Sequence, residues 1–243
     1  MTGTPIYAIG DIHGQFDQMN RALDLIARDG GAEAEIVFLG DLVDRGPDSR
    51  AVIDSLIRGQ ETGRNWHVLK GNHDRMFARF LRDATVDDER ISSALTWLHP
   101  RLGGDATLAS YGVEVAETDQ PADLHRQARD SIPQVHLTFL TRMPLYLERG
   151  ELLFVHAGIV PGVALAEQSE DDLLWIRKPF LEFTGRHPWL VVHGHTALEM
   201  PHHFGNRVDL DGGAGHGRQL HPAVFEGRDC WLLTEGGRIR LAP

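Results

Sequence analysis

The sequence predicts an α/β fold in which parallel strand-and-helix units deliver polar loops to one end of a sheet, and three observations predict it. Short apolar runs recur at Ile6-Tyr7-Ala8-Ile9, Ile36-Val37-Phe38-Leu39 and Trp66-His67-Val68-Leu69, as strands buried on both faces do. Between them lie stretches whose apolar residues follow a helical period, giving strand, helix, strand in succession, the pattern of a parallel crossover. Each run also leads into a glycine followed by Asp or Asn and a histidine or arginine: Gly10-Asp11-Ile12-His13-Gly14, Gly40-Asp41-Leu42-Val43-Asp44-Arg45-Gly46 and Gly71-Asn72-His73-Asp74. Open α/β sheets place their ligand sites at the C-terminal ends of such strands.

The elements follow in order. After the first run, Phe16, Met19, Leu23, Ile26 and Ala27 mark a helix that Gly30-Gly31 ends. Ser49 to Ile57 is a second helix with a stripe of Val52, Ile53, Leu56 and Ile57. Arg75 to Arg82 reads as a third, with Asp74 as its cap. Residues 83–130 lose this regularity and read either as a helical and loop insertion over the site or as a peripheral cap with only packing to do. Ser131 to Thr141 is again amphipathic, and Pro144 ends it. Two further strands deliver histidines, Leu152 to Val155 into His156-Ala157-Gly158 and Leu190 to Val192 into His193-Gly194-His195-Thr196. The tail, Val224 to Glu226, Cys230 to Leu233 and Arg238 to Leu241, is broken by Gly227 and Gly236-Gly237 and reads as antiparallel hairpins.

Composition bounds the function. The 243 residues, 42% hydrophobic and 24% charged, fit a soluble globular protein of one or two domains. A formal net charge of -11 disfavours a nucleic-acid partner bound through its backbone. The one cysteine, Cys230, excludes an internal disulfide and a thiolate metal cluster. No apolar run nears 18 residues, so no membrane span is expected. Met1-Thr2-Gly3-Thr4-Pro5 lacks the basic start and apolar core of a signal peptide, so a cytoplasmic location is expected.

In extended backbone Asp11 and His13 leave the same face and can close on one ion. A lone histidine after a strand is more often a satisfied core residue than a ligand. Here five strand ends repeat the placement. The ordered set GDIHG, GDLVDRG, GNHD, HAG and GHT, from Asp11 to His195, resembles the phosphoprotein phosphatase family of calcineurin-like metallophosphoesterases.

The resemblance implies a single catalytic domain over 1–243, with a cap insertion at 83–130, folded as a β-sandwich of two mixed sheets flanked by helices. It implies two divalent metal ions, one held by Asp11, His13 and Asp41 and the other by Asp41, Asn72, His156 and His195, with Asp41 between them. Oxygen and imidazole donors suit manganese, iron or zinc better than a soft metal, and manganese is the first expectation. A water bridging the ions would attack phosphorus directly. His73 would be the general acid, oriented by Asp44, and Arg45, Arg177 and Asn72 would hold the phosphate. His193 is expected in packing or behind the ligands. His216 falls where relatives often carry a tyrosine over the site.

Three readings of function follow. The chain is read first as a serine/threonine protein phosphatase acting on a phosphorylated protein. The alternative is a symmetrical dinucleoside tetraphosphate hydrolase releasing two diphosphates. The third, a non-catalytic scaffold, is disfavoured by the intact ligand set. The acidic composition leans towards the phosphoprotein.

Overall fold

The computed structural model of the protein describes residues 4–91, 95–116 and 118–243. Residues 1–3, part of the start read for a leader, and residues 92–94 and 117, inside the 83–130 segment, lie outside that description.

The chain begins with β1 (Ile6–Ile9), α1 (Phe16–Gly30), β2 (Glu35–Phe38), α2 (Ser49–Glu61) and β3 (Trp66–Val68). These form two parallel crossovers whose registers set Ile9 beside Phe38 and Phe38 beside Val68, so the three strands end level. The helices α3 (Asn72–Asp83), α4 (Gly104–Ser110), α5 (Pro121–Ser131) and α6 (Gln134–Arg142) follow. Then come β4 (Tyr146–Arg149), β5 (Leu152–Val155), α7 (Glu170–Trp175), α8 (Lys178–Leu181), β6 (Leu190–His193), β7 (His202–His203), β8 (Arg207–Asp209), β9 (Ala223–Glu226), β10 (Asp229–Thr234) and β11 (Gly237–Leu241). The strands make a six-stranded sheet, β11-β10-β9-β1-β2-β3, and a five-stranded sheet, β4-β5-β6-β8-β7. Both are mixed: β9 runs antiparallel to β1, and β4 runs antiparallel to β5, which is parallel to β6.

Side-chain alternation explains why the strands read as unbroken apolar runs. Ala8, Val37 and Leu39 face Phe154, Val192 and Val208 in the core between the sheets. Tyr7, Ile9, Ile36 and Phe38 point the other way, into the layer of α1, α2 and α3. Leu153, Val155 and Val191 meet Leu173 and Phe180 on the outer face of the second sheet. No helix among the described residues is long and apolar enough to cross a membrane.

Three local expectations are corrected. The third helix starts at Asn72 rather than Arg75, with Gly71 as N-cap. Asp74 lies in its first turn, where its carboxylate accepts from the Gly71 amide at 2.8 Å and from the Leu42 amide at 3.0 Å. That satisfies the N-cap amide and ties the Asp41–Gly46 loop to the helix. The helix expected over Ser131 to Thr141 begins at Gln134, because Pro133 interrupts the chain after the separate helix α5. The strand β8 has no counterpart in the sequence reading, since Arg207 and Asp209 flank Val208 and break the apolar run, although all three are buried.

Candidate metal centre

The loops after β1, β2, β3, β5 and β6 meet at one end of the sandwich, and their backbones are bent hard to do so. His13, Asp41, Asp44, Arg45 and His195 all have positive φ, between 48° and 74°. Each such non-glycine conformation costs on the order of 1–3 kcal/mol and persists only where the surroundings impose it. Here they do. The amides of Ile12 and His13 donate to the Asp41 carbonyl at 3.0 and 2.8 Å, and the Gly46 amide donates to the His13 carbonyl at 3.0 Å. A Cβ on Gly71 would lie 2.2 Å from the Asp41 amide nitrogen, so only glycine lets the two loops touch.

The histidines are oriented by strand-end carbonyls. His13 Nδ1 donates to the Val43 carbonyl at 2.8 Å, and His156 Nδ1 donates to the Leu39 carbonyl at 2.9 Å. In that tautomer Nε2 of each ring presents a lone pair, which is how a ligating histidine is held. Burial, with Arg45 and His73 next in importance, holds His13 well below its ordinary pKa. Burial lowers His156, and burial with His156 and Arg177 holds His195 well below its ordinary pKa, which favours the neutral form of all three rings.

At His156 an acceptor therefore faces acceptors. His156 Nε2 is 2.8 Å from Asn72 Oδ1 and 3.4 Å from Asp41 Oδ1, with no proton of its own to share. His195 Nδ1 lies 2.9 Å from the same Asn72 oxygen, and its Nε2 is buried without a partner. On the other side, His13 Nε2 is 3.6 Å from Asp41 Oδ2. Asp41 thus stands between two donor groups, His13 with His73 and His156 with His195, whose ligand atoms lie within 4.8 Å of one another in each group.

Asp11 is placed differently from the other donors. Both its oxygens accept from the His195 amide, at 3.1 and 3.2 Å, and His73 rather than Asp11 completes the group around His13. Burial, then the negative charges of Asp211 and Asp41, raise the Asp11 carboxyl well above its ordinary pKa. Converging buried carboxylates of this kind are stable when a cation neutralises them, so the donor set fits divalent ions bound by oxygen and imidazole.

Beside the donors lie the residues expected to supply the acid and to hold phosphate. His73 Nδ1 donates to Asp44 Oδ2 at 2.6 Å, which leaves Nε2 directed at Arg45, whose Nη2 donates to it at 3.2 Å. Arg45 Nη1 also donates to His13 Nε2 at 2.7 Å, so its fork spans both histidines. Arg177 lies along the far rim, where Nη1 donates to Thr196 Oγ1 at 3.2 Å and Nη2 to the His195 carbonyl at 3.4 Å. His193 points away from the donors. Its Nε2 accepts from Arg207 Nη1 at 3.1 Å, and burial pushes its pKa down to about 3. His216 is exposed on the loop that crosses His13 and Arg45.

Sequence reasoning missed several residues at this site. Asp211 follows the unrecognised strand β8, and its only trace was the alternation of Asp209 and Asp211 with Val208 and Leu210. Trp97 and Thr107 each donate to Asp44, at 2.8 and 2.7 Å, across 53 and 63 residues of sequence that no local spacing could bridge.

A family model of the calcineurin-like phosphoesterases matches residues 4–212. The asymmetrical bis(5'-nucleosyl)-tetraphosphatase PrpE of Bacillus subtilis (strain 168) is 26% identical over 236 residues, covering 87% of each chain. A crystal structure provisionally assigned as a diadenosine tetraphosphatase superposes with a TM-score of 0.64 at 22% identity, over 98% of this chain and 94% of that one. A mutant cold-active protein tyrosine phosphatase gives 0.65 at 18% identity, over 98% and 80%. At these identities the two structures establish the fold, a pair of mixed sheets flanked by helices. The chain belongs to the calcineurin-like phosphoesterase family and is a phosphoester hydrolase.

Proposed function

We propose that this hydrolase cleaves dinucleoside tetraphosphates by direct attack of solvent on phosphorus, with His73 as the general acid. The observation that carries the mechanism is Asp41, whose two oxygens face two separate groups of imidazoles. Asp11, His13 and Asp41 would hold one divalent ion and Asp41, Asn72, His156 and His195 the other, with manganese as the first candidate. When bound, the two ions would activate the solvent nucleophile and neutralise charge on the phosphoryl oxygens. Arg45 and Arg177 flank the donors from two sides and orient phosphate oxygens through their planar forks. Asp44 keeps the His73 proton on Nδ1 and aims Nε2 at the centre, where, once protonated, it delivers a proton to the departing oxygen.

The choice of substrate rests on the relatives that match most of this chain and on local charge. The expectation of a phosphoprotein leaned on the net charge of -11. The centre, however, is rimmed by Arg45 and Arg177, with Arg218 packed on Gly213 in the loop that crosses Arg45. A local positive field attracts a polyphosphate whatever the overall charge. The phosphoprotein remains a second reading, because a buried aspartate and histidine pair contributes most when the leaving group is a poor one such as a serine or threonine alkoxide. The test is kcat/KM with manganese on diadenosine tetraphosphate and on a phosphothreonine peptide, with product analysis. Preference for the dinucleotide supports the proposal, and AMP with ATP as products would match the asymmetrical cleavage in the relative's name, whereas two ADP would restore the symmetrical alternative. Preference for the peptide overturns the proposed substrate.

A further inference from the structure

The 84–133 segment supplies none of the donor set, yet two of its side chains end on the carboxylate that holds His73. Asp44 is fully buried. Its Oδ2 accepts from His73 Nδ1 at 2.6 Å and from Trp97 Nε1 at 2.8 Å, and its Oδ1 accepts from Thr107 Oγ1 at 2.7 Å. The Thr107 oxygen in turn accepts from the Asp44 amide at 2.8 Å. One hydroxyl therefore fixes both ends of a residue whose backbone sits at φ 74°, in the left-handed region.

Trp97 is itself immobilised against the helix that carries His73. Its indole stacks on Phe77 at 5.6 Å and lies tilted against Phe80 at 4.9 Å, both on α3. A Cβ on Gly104 would lie 2.5 Å from two indole ring carbons, so the backbone of α4 packs closely on the ring as well. The indole thus packs on α3 and donates into the Asp41–Gly46 loop, and it fixes the distance between the two elements that supply the acid and its carboxylate. A 1 Å error in such a pair is enough to lose most of its catalytic benefit.

We infer that Trp97 and Thr107 are positioning residues for the proton donor: the insertion orients the Asp44 and His73 pair through these two hydrogen bonds. This rests on the reading of His73 as the general acid.

The test uses the manganese-loaded full chain and a series of substituted phenyl phosphates running from good to poor leaving groups. Trp97→Phe keeps the aromatic packing and removes only the N–H. Thr107→Val keeps the shape and removes the hydroxyl, and Thr107→Ser restores the hydroxyl. Losing a hydrogen bond to a charged group should lower kcat on phenyl phosphate by about 10–100-fold. The loss on p-nitrophenyl phosphate should be under about threefold, because that leaving group needs little protonation. KM and metal content should be unchanged, and Thr107→Ser should recover the poor-leaving-group rate. His73→Ala is run in parallel. If it shows the leaving-group bias and Trp97→Phe and Thr107→Val do not, or if those two lose rate equally on both substrates, the two residues are structural only and the inference falls while the acid reading stands. If His73→Ala shows no bias, the acid reading falls and this inference with it.

Discussion

The strand-end loops and the 84–133 segment meet at Asp44, and they reach it by opposite means. The loops carry their chemical groups on strained backbone, with His13, Asp41, Asp44, Arg45 and His195 all at positive φ, locked by amides that donate between neighbouring loops. The segment contributes through two side-chain tips, Trp97 Nε1 and Thr107 Oγ1. Strain in the first region fixes where the donors point. Contact from the second fixes how one of them is held. The lesson is that a family's core chemistry can be built into short loops while its fine positioning is left to a segment with no motif of its own.

If that division is right, damage to the loops and damage elsewhere should differ in kind. The largest effect is expected at the bridge. Asp41→Asn should cost roughly 10³-fold or more in kcat, the scale of several kcal/mol of lost charge stabilisation, with the fold retained by circular dichroism. His73→Ala should follow, with a fall in kcat of about 10²–10⁴-fold on a poor leaving group and far less on p-nitrophenyl phosphate. An equal loss on both substrates would remove His73 from the acid role.

A change in the sandwich should separate stability from chemistry. Phe154 is fully buried between the sheets and meets Phe225 edge to face at 5.9 Å. Phe154→Ala should cost about 3–5 kcal/mol in a urea melt while leaving kcat per folded molecule within a factor of two or so. A comparable fall in kcat would mean that the loops depend on core packing more than their own hydrogen bonds suggest.

The smallest effect belongs to a surface contact far from the centre. Arg238 Nε and Nη2 donate to the two oxygens of Asp29 at 2.8 and 2.7 Å, and the Tyr7 hydroxyl donates to it at 2.7 Å. Arg238 first, and Tyr7 after burial, hold this carboxyl below its ordinary pKa. A depressed carboxylate stabilises the fold above its unfolded pKa of about 3.9 and loses that contribution as pH falls through its folded value. Asp29→Asn should therefore lower Tm by about 2–4 °C at pH 7, the scale of 1 kcal/mol or less, with the gap to wild type closing towards pH 3. A gap that stays constant with pH would assign the loss to packing instead.

The same division explains what the sequence could reveal. Asp11 with His13, Asp41 with Asp44 and Arg45, and Asn72 with His73 each lie within a few residues, so strand-and-loop geometry alone brings them together and their spacing is readable. Asp74 was legible as a capping residue, but the helix boundary moved because its carboxylate reaches back to Gly71. Asp211 was hidden because β8 alternates charge with apolar residues, which hides a buried strand. Trp97 and Thr107 were invisible for a different reason: their partner is 53 and 63 residues away, and only the packing of α4 on α2 and of Trp97 on Phe77 and Phe80 brings them to it.

The central claim is that Asp41 joins two metal ions in one centre, and a manganese titration of chelator-stripped protein, read by elemental analysis and electron paramagnetic resonance, tests it most directly. Wild type should bind two manganese ions per chain with the spin-coupled spectrum of a dinuclear pair, and Asp41→Asn should retain at most one, uncoupled. Two coupled ions in the variant, or a single ion in the wild type at saturation, would contradict the account.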